Sequence, residues 1–224
     1  KLYMSILGSI NWIAGIRFDI LLALLYLSWS TKAPRRHHLN MALHTVYYLF
    51  RTKYLPLVLG GPPEVNLISW CDATLGSAPK GRSIIGSFTK LNPTAGAISA
   101  FTTATATVVT SGFESELEAV QKTVKATNRI HNILDQFGQS LSSIPKIFGD
   151  NKAVVEFVKG AGVAKGVRHM QLRMWYLREQ YLMHNVDLTH IPGTTNPSDK
   201  LTKLSDSPGH LSYTIDIMVL TLLK

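Results

Sequence analysis

The chain is poor in cysteine, in acids and in long apolar runs, and each shortage closes off a class of protein. Cys71 is the single cysteine among 224 residues. That excludes a disulfide scaffold and a cysteine-ligated zinc site, and it fits a reducing compartment. Asp and Glu number 14 against 23 Lys and Arg, a net charge of +9 with pI near 9.7. A balance that basic favours an anionic partner, either nucleic acid or a membrane surface. The most apolar uncharged run, Ile20–Thr31, has twelve residues, short of the roughly 20 needed to span a bilayer. Leu91–Phe113 is also uncharged but is full of Thr, Ser, Gly and Asn. Leu2–Ile16 has the apolar character of a signal peptide, yet it contains Asn11 and lacks a small-residue cleavage pattern. No membrane span is read. What is present is a 46% apolar composition, which excludes a disordered tail and suffices for a real core in one domain, or one domain plus a helical arm.

The positive charge is uneven. Residues 1–60 carry seven cations and one anion, whereas 111–150 carry four and five. The N-terminal sixty residues therefore supply most of the field.

Periodicity divides the chain at Gly60-Gly61-Pro62-Pro63. Before it, Ile6, Ile10, Ile13 and Ala14 recur at helical spacing, and Ile20–Leu27 and Leu39–Phe50 predict two more helices separated by Pro34. Leu55–Leu59 reads as a strand. After it, Val65–Trp70, Ile84–Thr89 and Ala97–Thr103 read as strands, and Thr105–Thr110, rich in β-branched residues, as a further one. Leu117, Val120, Val124, Ile130, Ile133, Leu134 and Phe137 share one face of a long helix. Then come a strand at Lys146–Phe148, helices at Lys152–Val158 and Arg168–Leu182, a strand at Val186–Ile191 and a last helix from Ser198 to Leu204. The pattern is that of an α/β fold.

Four acids fall at the ends of these elements: Asp72 and Asp150 after strands, Glu116 and Asp199 at helix starts. In an α/β sheet such positions gather on one edge. Carboxylates collected there repel one another unless a cation neutralises them. An oxygen set without His or Cys suits magnesium or manganese, and two such ions can activate water and stabilise the leaving oxygen in phosphodiester cleavage. Spacing alone leaves other readings open. First-turn acids are favoured by the helix dipole, and Asp72 and Asp150 also suit turns.

The order of short motifs resembles the C-terminal part of a copia-type retrotransposon polyprotein, where the end of the reverse transcriptase is followed by ribonuclease H. Tyr3-Met4-Ser5-Ile6-Leu7-Gly8-Ser9-Ile10 is similar to the family's Y-x-x-L-x-G-S-L, Arg17-Phe18-Asp19-Ile20 to R-P-D-I, and Tyr48-Leu49-Phe50-Arg51-Thr52 to R-Y-L-x-G-T. Asp72-Ala73 stands where D-A-D-W stands, Gly81–Gly86 where R-R-S-T-S-G does, and Glu114-Ser115-Glu116-Leu117 where E-A-E-Y does. Asp150-Asn151-Lys152-Ala153 matches D-N-x-A. Arg168–Arg173 through Arg178-Glu179 matches K-H-I-D-x-R…R-E, and Ser198–Lys203 matches A-D-x-x-T-K. There are departures. The basic S-K-K-Q ahead of the Glu is replaced by the uncharged Phe101–Thr105, and the second acid of D-A-D-W is missing. The polymerase's Y-x-D-D is absent.

The resemblance implies a ribonuclease H-like mixed five-stranded sheet flanked by helices over 61–204, an N-terminal helical arm over 1–60 from the end of the reverse transcriptase, and an extension over 205–224 that matches nothing. It implies that Asp72, Glu116, Asp150 and Asp199 bind two Mg2+ or Mn2+ ions and cleave the RNA strand of an RNA–DNA hybrid. The alternative is a catalytically inactive nucleic-acid-binding or structural module derived from a retroelement. Glu116 is preferred over Glu114 because it directly precedes Leu117, which leaves Glu114 and Glu118 to solvent. Arg35, Arg36, Arg51, Lys53, Asn151, Arg168, His169 and Arg173 are candidate nucleic-acid contacts. Trp70 and Trp175 read as core, Cys71 as a buried strand residue, and no catalytic His is assigned. The polymerase domain of the same polyprotein is the expected protein partner. The expected location is the cytoplasm, within a virus-like particle, or the nucleus. A chain that begins at Lys1 is expected to be a piece of that longer polyprotein.

Overall fold

The computed structural model describes residues 1–60, 64–160 and 168–204, without the side chains of Arg168 and His169. The expectations placed on those two side chains and on 205–224, including the apolar Ile215–Leu223, lie outside the described residues.

The N-terminal arm is a set of three helices. Helix α1 (Leu2–Ile13) buries Tyr3, Leu7 and Ile10, an i, i+4, i+7 stripe. A short 3-10 turn (Phe18–Ile20) leads into α2 (Leu21–Ser28), and α3 spans Arg36–Arg51. A buried polar node ties the three together. Arg17 pairs with Asp19 at 2.7 Å, and the Tyr48 hydroxyl on α3 donates to the same carboxylate at 2.6 Å. Arg17 also donates to the Thr52 hydroxyl at 2.8 Å. Each charge is thereby paired, as burial demands.

The sheet has the order β3-β2-β1-β4-β5. Strands β1 (Ile68–Ala78), β2 (Arg82–Lys90) and β3 (Ala97–Ala104) form an antiparallel meander. The β1–β2 turn places Lys80 and Gly81 at positive φ (64° and 72°). Helix α4 (Gly112–Gln136) then crosses the sheet, and β4 (Lys146–Gly149) returns parallel to β1. Helices α5 (Lys152–Val158) and α6 (Arg168–Leu182) precede β5 (Asp187–His190), which lies parallel to β4. The result is the expected mixed five-stranded sheet flanked by helices.

Strand alternation splits the core in two. Cys71, Ile85 and Ile147 face α4, α5 and α6, against Leu117, Val120, Val124, Val154 and Leu177. The opposite face carries Trp70, Ile84 and Phe88. There Phe18 packs with Phe88, Ala97 and Leu201, and Leu22 packs with Ala78 and Ile84. The arm therefore covers the second face of the sheet.

Three expected elements differ. Leu55–Leu59 is not a strand, although the Gly96 amide donates to the Val58 carbonyl at 2.7 Å. Thr105–Thr110 is not a strand, because the Thr105 side chain bonds the Ser83 amide and the Thr107 carbonyl and bends the chain toward α4. The helix expected over Ser198–Leu204 is only a 3-10 turn, Pro197–Leu201, capped by Asn196. Among the described residues no helix is long and apolar enough to cross a membrane.

Candidate metal centre

Strand β1 outruns its parallel neighbour. Its pairing with β4 ends at Trp70–Phe148, and β4 itself stops at Gly149. Asp72 and Asp150 therefore both stand at the edge where the parallel ladder opens. Helix α4 brings the third acid. Ser111 caps it, with its hydroxyl accepting from the Glu114 amide at 3.2 Å, while the Glu114 carboxylate accepts from the Thr110 amide at 3.1 Å. That cap fixes the first turn, so Glu116 is presented to the strand ends. Glu114 is thus a buried capping residue rather than a solvated one. Glu118 is also buried, against Arg173 at 3.1 Å and Lys122 at 3.2 Å, which corrects the expectation of solvent exposure.

Asp72, Glu116 and Asp150 each offer an oxygen, and these oxygens all lie within 4.8 Å of one another. Asp72 is fully buried. Its Oδ2 accepts from the Thr202 hydroxyl, and its Oδ1, among the described residues, has no hydrogen-bond partner. Burial first, then the neighbouring Asp72 and Asp150 charges, push the Glu116 carboxyl up to about 9 against a pull from the Ala73 amide. Burial likewise pushes Asp72 up to about 7, although the Thr202 hydrogen bond and Lys203 pull it back. A closely grouped, all-oxygen set with a buried, unbonded carboxylate oxygen, in which burial and mutual repulsion disfavour the charged carboxylates, fits a hard divalent cation.

Asp199 does not join these three. Its Oδ1 holds the Lys203 ammonium at 2.7 Å, and the same Nζ stands 3.6 Å from Asp72 Oδ1. The fourth acid thus meets the cluster through a lysine. Burial lowers the Lys203 pKa, but the Asp199 hydrogen bond and the Asp72 charge outweigh it, so the ammonium is held more firmly than usual. Thr202 and Lys203 lie within the Ser198–Lys203 motif, and nothing in their residue types alone marks either for a place beside Asp72. The surroundings are similarly built. Asn196 donates to the Cys71 carbonyl at 2.9 Å, seating the 3-10 turn on β1. His190 Nε2 lies 3.1 Å from the Asp150 carbonyl oxygen. Cys71 is buried, with its thiol on the Phe148 carbonyl at 3.5 Å.

The candidate nucleic-acid contacts scatter. Arg35, Arg36, Arg51 and Lys53 are exposed along and beside α3. The Lys53 ammonium lies over the Phe50 and Tyr54 rings at 4.4 and 4.9 Å. Asn151 caps α5, accepting from the Val154 amide at 3.2 Å. Arg173 is engaged with Glu118. Trp70 stacks on Phe88 at 4.8 Å as a core residue should, but Trp175 is 59% exposed and is not core.

No protein-family model and no curated protein matches the chain. Solved structures do. The chain is similar to a ribonuclease H1 isolated from compost by a metagenomic approach, with 15% identity over 61% of this chain and 92% of that one, at a TM-score of 0.48. It is similar to the N-terminal RNase H domain of a Mycobacterium tuberculosis protein, with 13% identity over 67% and 96% of the two chains, at a TM-score of 0.46. A third likeness is to a foamy viral protease–reverse transcriptase in complex with RNA/DNA hybrid, with 14% identity over 69% of this chain and 21% of that chain, at a TM-score of 0.46.

Proposed function

We propose that the protein is a ribonuclease H that hydrolyses the RNA strand of RNA–DNA hybrids, within a copia-type retrotransposon polyprotein. The observation that carries this reading is the grouping of Asp72, Glu116 and Asp150 within 4.8 Å, on the strand ends and helix start where the motif resemblance puts the ribonuclease H carboxylates.

Asp72, Glu116 and Asp150 would hold divalent cations, with Asp199 completing one of two sites. Bound there, Mg2+ or Mn2+ supplies an activated water and a charge partner for the leaving 3′ oxygen. The chain's own part is positioning. The Thr202 hydroxyl holds Asp72 Oδ2 and leaves Oδ1 without a hydrogen bond among the described residues. The α4 cap and the Ala73 amide orient Glu116. The exposed cations of the arm would hold the hybrid backbone. The polymerase domain of the same polyprotein would be its partner, in a cytoplasmic virus-like particle or the nucleus.

The test is cleavage of an end-labelled RNA–DNA hybrid with magnesium. The full chain is expected to cut the RNA strand to 5′-phosphate and 3′-hydroxyl products. Asp150→Asn is expected to lose at least about 100-fold in rate, the scale on which a preorganised electrostatic group acts. Hybrid binding without magnesium-dependent cleavage by the unaltered chain would instead establish the inactive binding module.

A further inference from the structure

We propose that Lys203 is an intrinsic counter-ion that closes the Asp72–Asp199 side of the centre until a second divalent cation displaces it. The inference rests on reading the carboxylates as a metal centre. Its starting point is the single ammonium that lies 2.7 Å from Asp199 Oδ1 and 3.6 Å from Asp72 Oδ1. A divalent ion bridging those two carboxylates and an ammonium between them exclude each other, since like charges that close repel strongly in a partly buried site.

The construction of the segment separates a fixed base from a movable head. Leu201 is buried against β2. The Thr202 hydroxyl holds Asp72, and the Lys203 amide donates to the Asp199 carbonyl at 2.7 Å. The Lys203 backbone is therefore anchored. Its side chain, by contrast, is 43% exposed, and half-exposed i, i+4 pairs of this type contribute little to stability. The ammonium can swing to solvent without opening the core. When it leaves, Asp72 Oδ1, which has no hydrogen-bond partner among the described residues, loses the nearby ammonium and is open to a cation. The ion pairs of Lys203 are with Asp72 and Asp199, and its charge reaches Glu116 and Asp150 only without direct pairing among the described residues, so their side of the centre is the less obstructed one. The two ions are thus unequal. One enters a prepared site, and the other must replace a lysine.

The experiment is a Mn2+ titration of the full chain, followed by calorimetry and by the electron-paramagnetic signal of free Mn2+. Lys203→Gln removes the charge and keeps much of the length; Lys203→Arg keeps the charge. The unaltered chain is expected to bind in two unequal events. Lys203→Gln should tighten the weaker event about tenfold or more, as expected when a competing unit charge is taken from a partly screened site, and Lys203→Arg should not tighten it. Equal or weaker Mn2+ binding by Lys203→Gln, or no binding by any variant, overturns the proposal. Hybrid cleavage is scored separately. Cleavage with an unchanged Lys203→Gln titration sinks the counter-ion and leaves the ribonuclease. The expected titration without cleavage sinks the ribonuclease and leaves the counter-ion.

Discussion

Glu116 shows why a single side chain can carry both a site and a liability. Its carboxyl is raised from its ordinary 4.5 to about 9, and that of Asp72 from 3.8 to about 7. Between those limits the folded protein keeps protons that the unfolded chain has released. Stability must then fall as pH rises, beginning near the unfolded values and ending above the folded ones. Metal-free protein is expected to melt at progressively lower temperature from about pH 5 to pH 9, the window set by these shifts. Glu116→Gln should flatten the fall, and saturating Mg2+ should reduce it, because a cation offsets both the burial and the repulsion that disfavour the charged carboxylates. Melting curves in chelator and in Mg2+ at five or six pH values check this. A flat profile in chelator for the unaltered chain would show that the cluster is not under electrostatic stress.

At the scale of elements, the long helix and the two parallel strands were legible, because Leu117, Val120 and Val124 recur at helical spacing and face the sheet, although the C-terminal part of the expected stripe does not, since Ile133 and Phe137 are exposed. Thr105–Thr110 was misread because β-branched residues report a preference, and here the Thr105 hydroxyl spends its bonds on Ser83 and Thr107 instead of extending the ladder. The helix expected over Ser198–Leu204 is instead a 3-10 turn because what shapes this segment is distant in sequence. Asn196 reaches Cys71 across 125 positions, and Leu201 lies on Gly86 of β2. That contact makes a sharp test. A Cβ on Gly86 would lie 2.5 Å from Leu201 Cβ and 3.1 Å from Thr202 Cγ2, so the segment that holds Asp72 must move. Gly86→Ala is expected to destabilise the protein by about 1–3 kcal/mol and to change Mn2+ affinity with it. Gly8→Ala in α1 meets nothing within 4 Å and should stabilise by roughly 0.5–1 kcal/mol. Urea unfolding of the pair separates a packing conflict from a general intolerance of substitution.

For the whole molecule, the distribution of charge matters more than its sum. The arm carries seven cations against one anion over residues 1–60, and its one anion, Asp19, is buried with Arg17. The remaining cations are exposed. Since Phe18 and Leu22 seat the arm on the sheet, this field belongs to the same packed body as the carboxylate cluster. Arg36 and Arg51 bracket α3, which sets them roughly 22 Å apart along its axis and within about 60° of one another around it. Two such ends cannot share a phosphate, so they should act as separate contacts. Neutralising Arg35 and Arg36 together, or Arg51 and Lys53 together, is expected to reduce the slope of log affinity for a hybrid against log salt by about 1–2 in each case, and by the sum in the quadruple variant. Cleavage per bound hybrid should be unchanged, because none of the four is among the charges that act on Asp72 or Glu116. Filter binding between low and moderate salt measures the slope. An unaltered slope in the quadruple variant would move the hybrid off the arm and leave its charge to a different anionic partner.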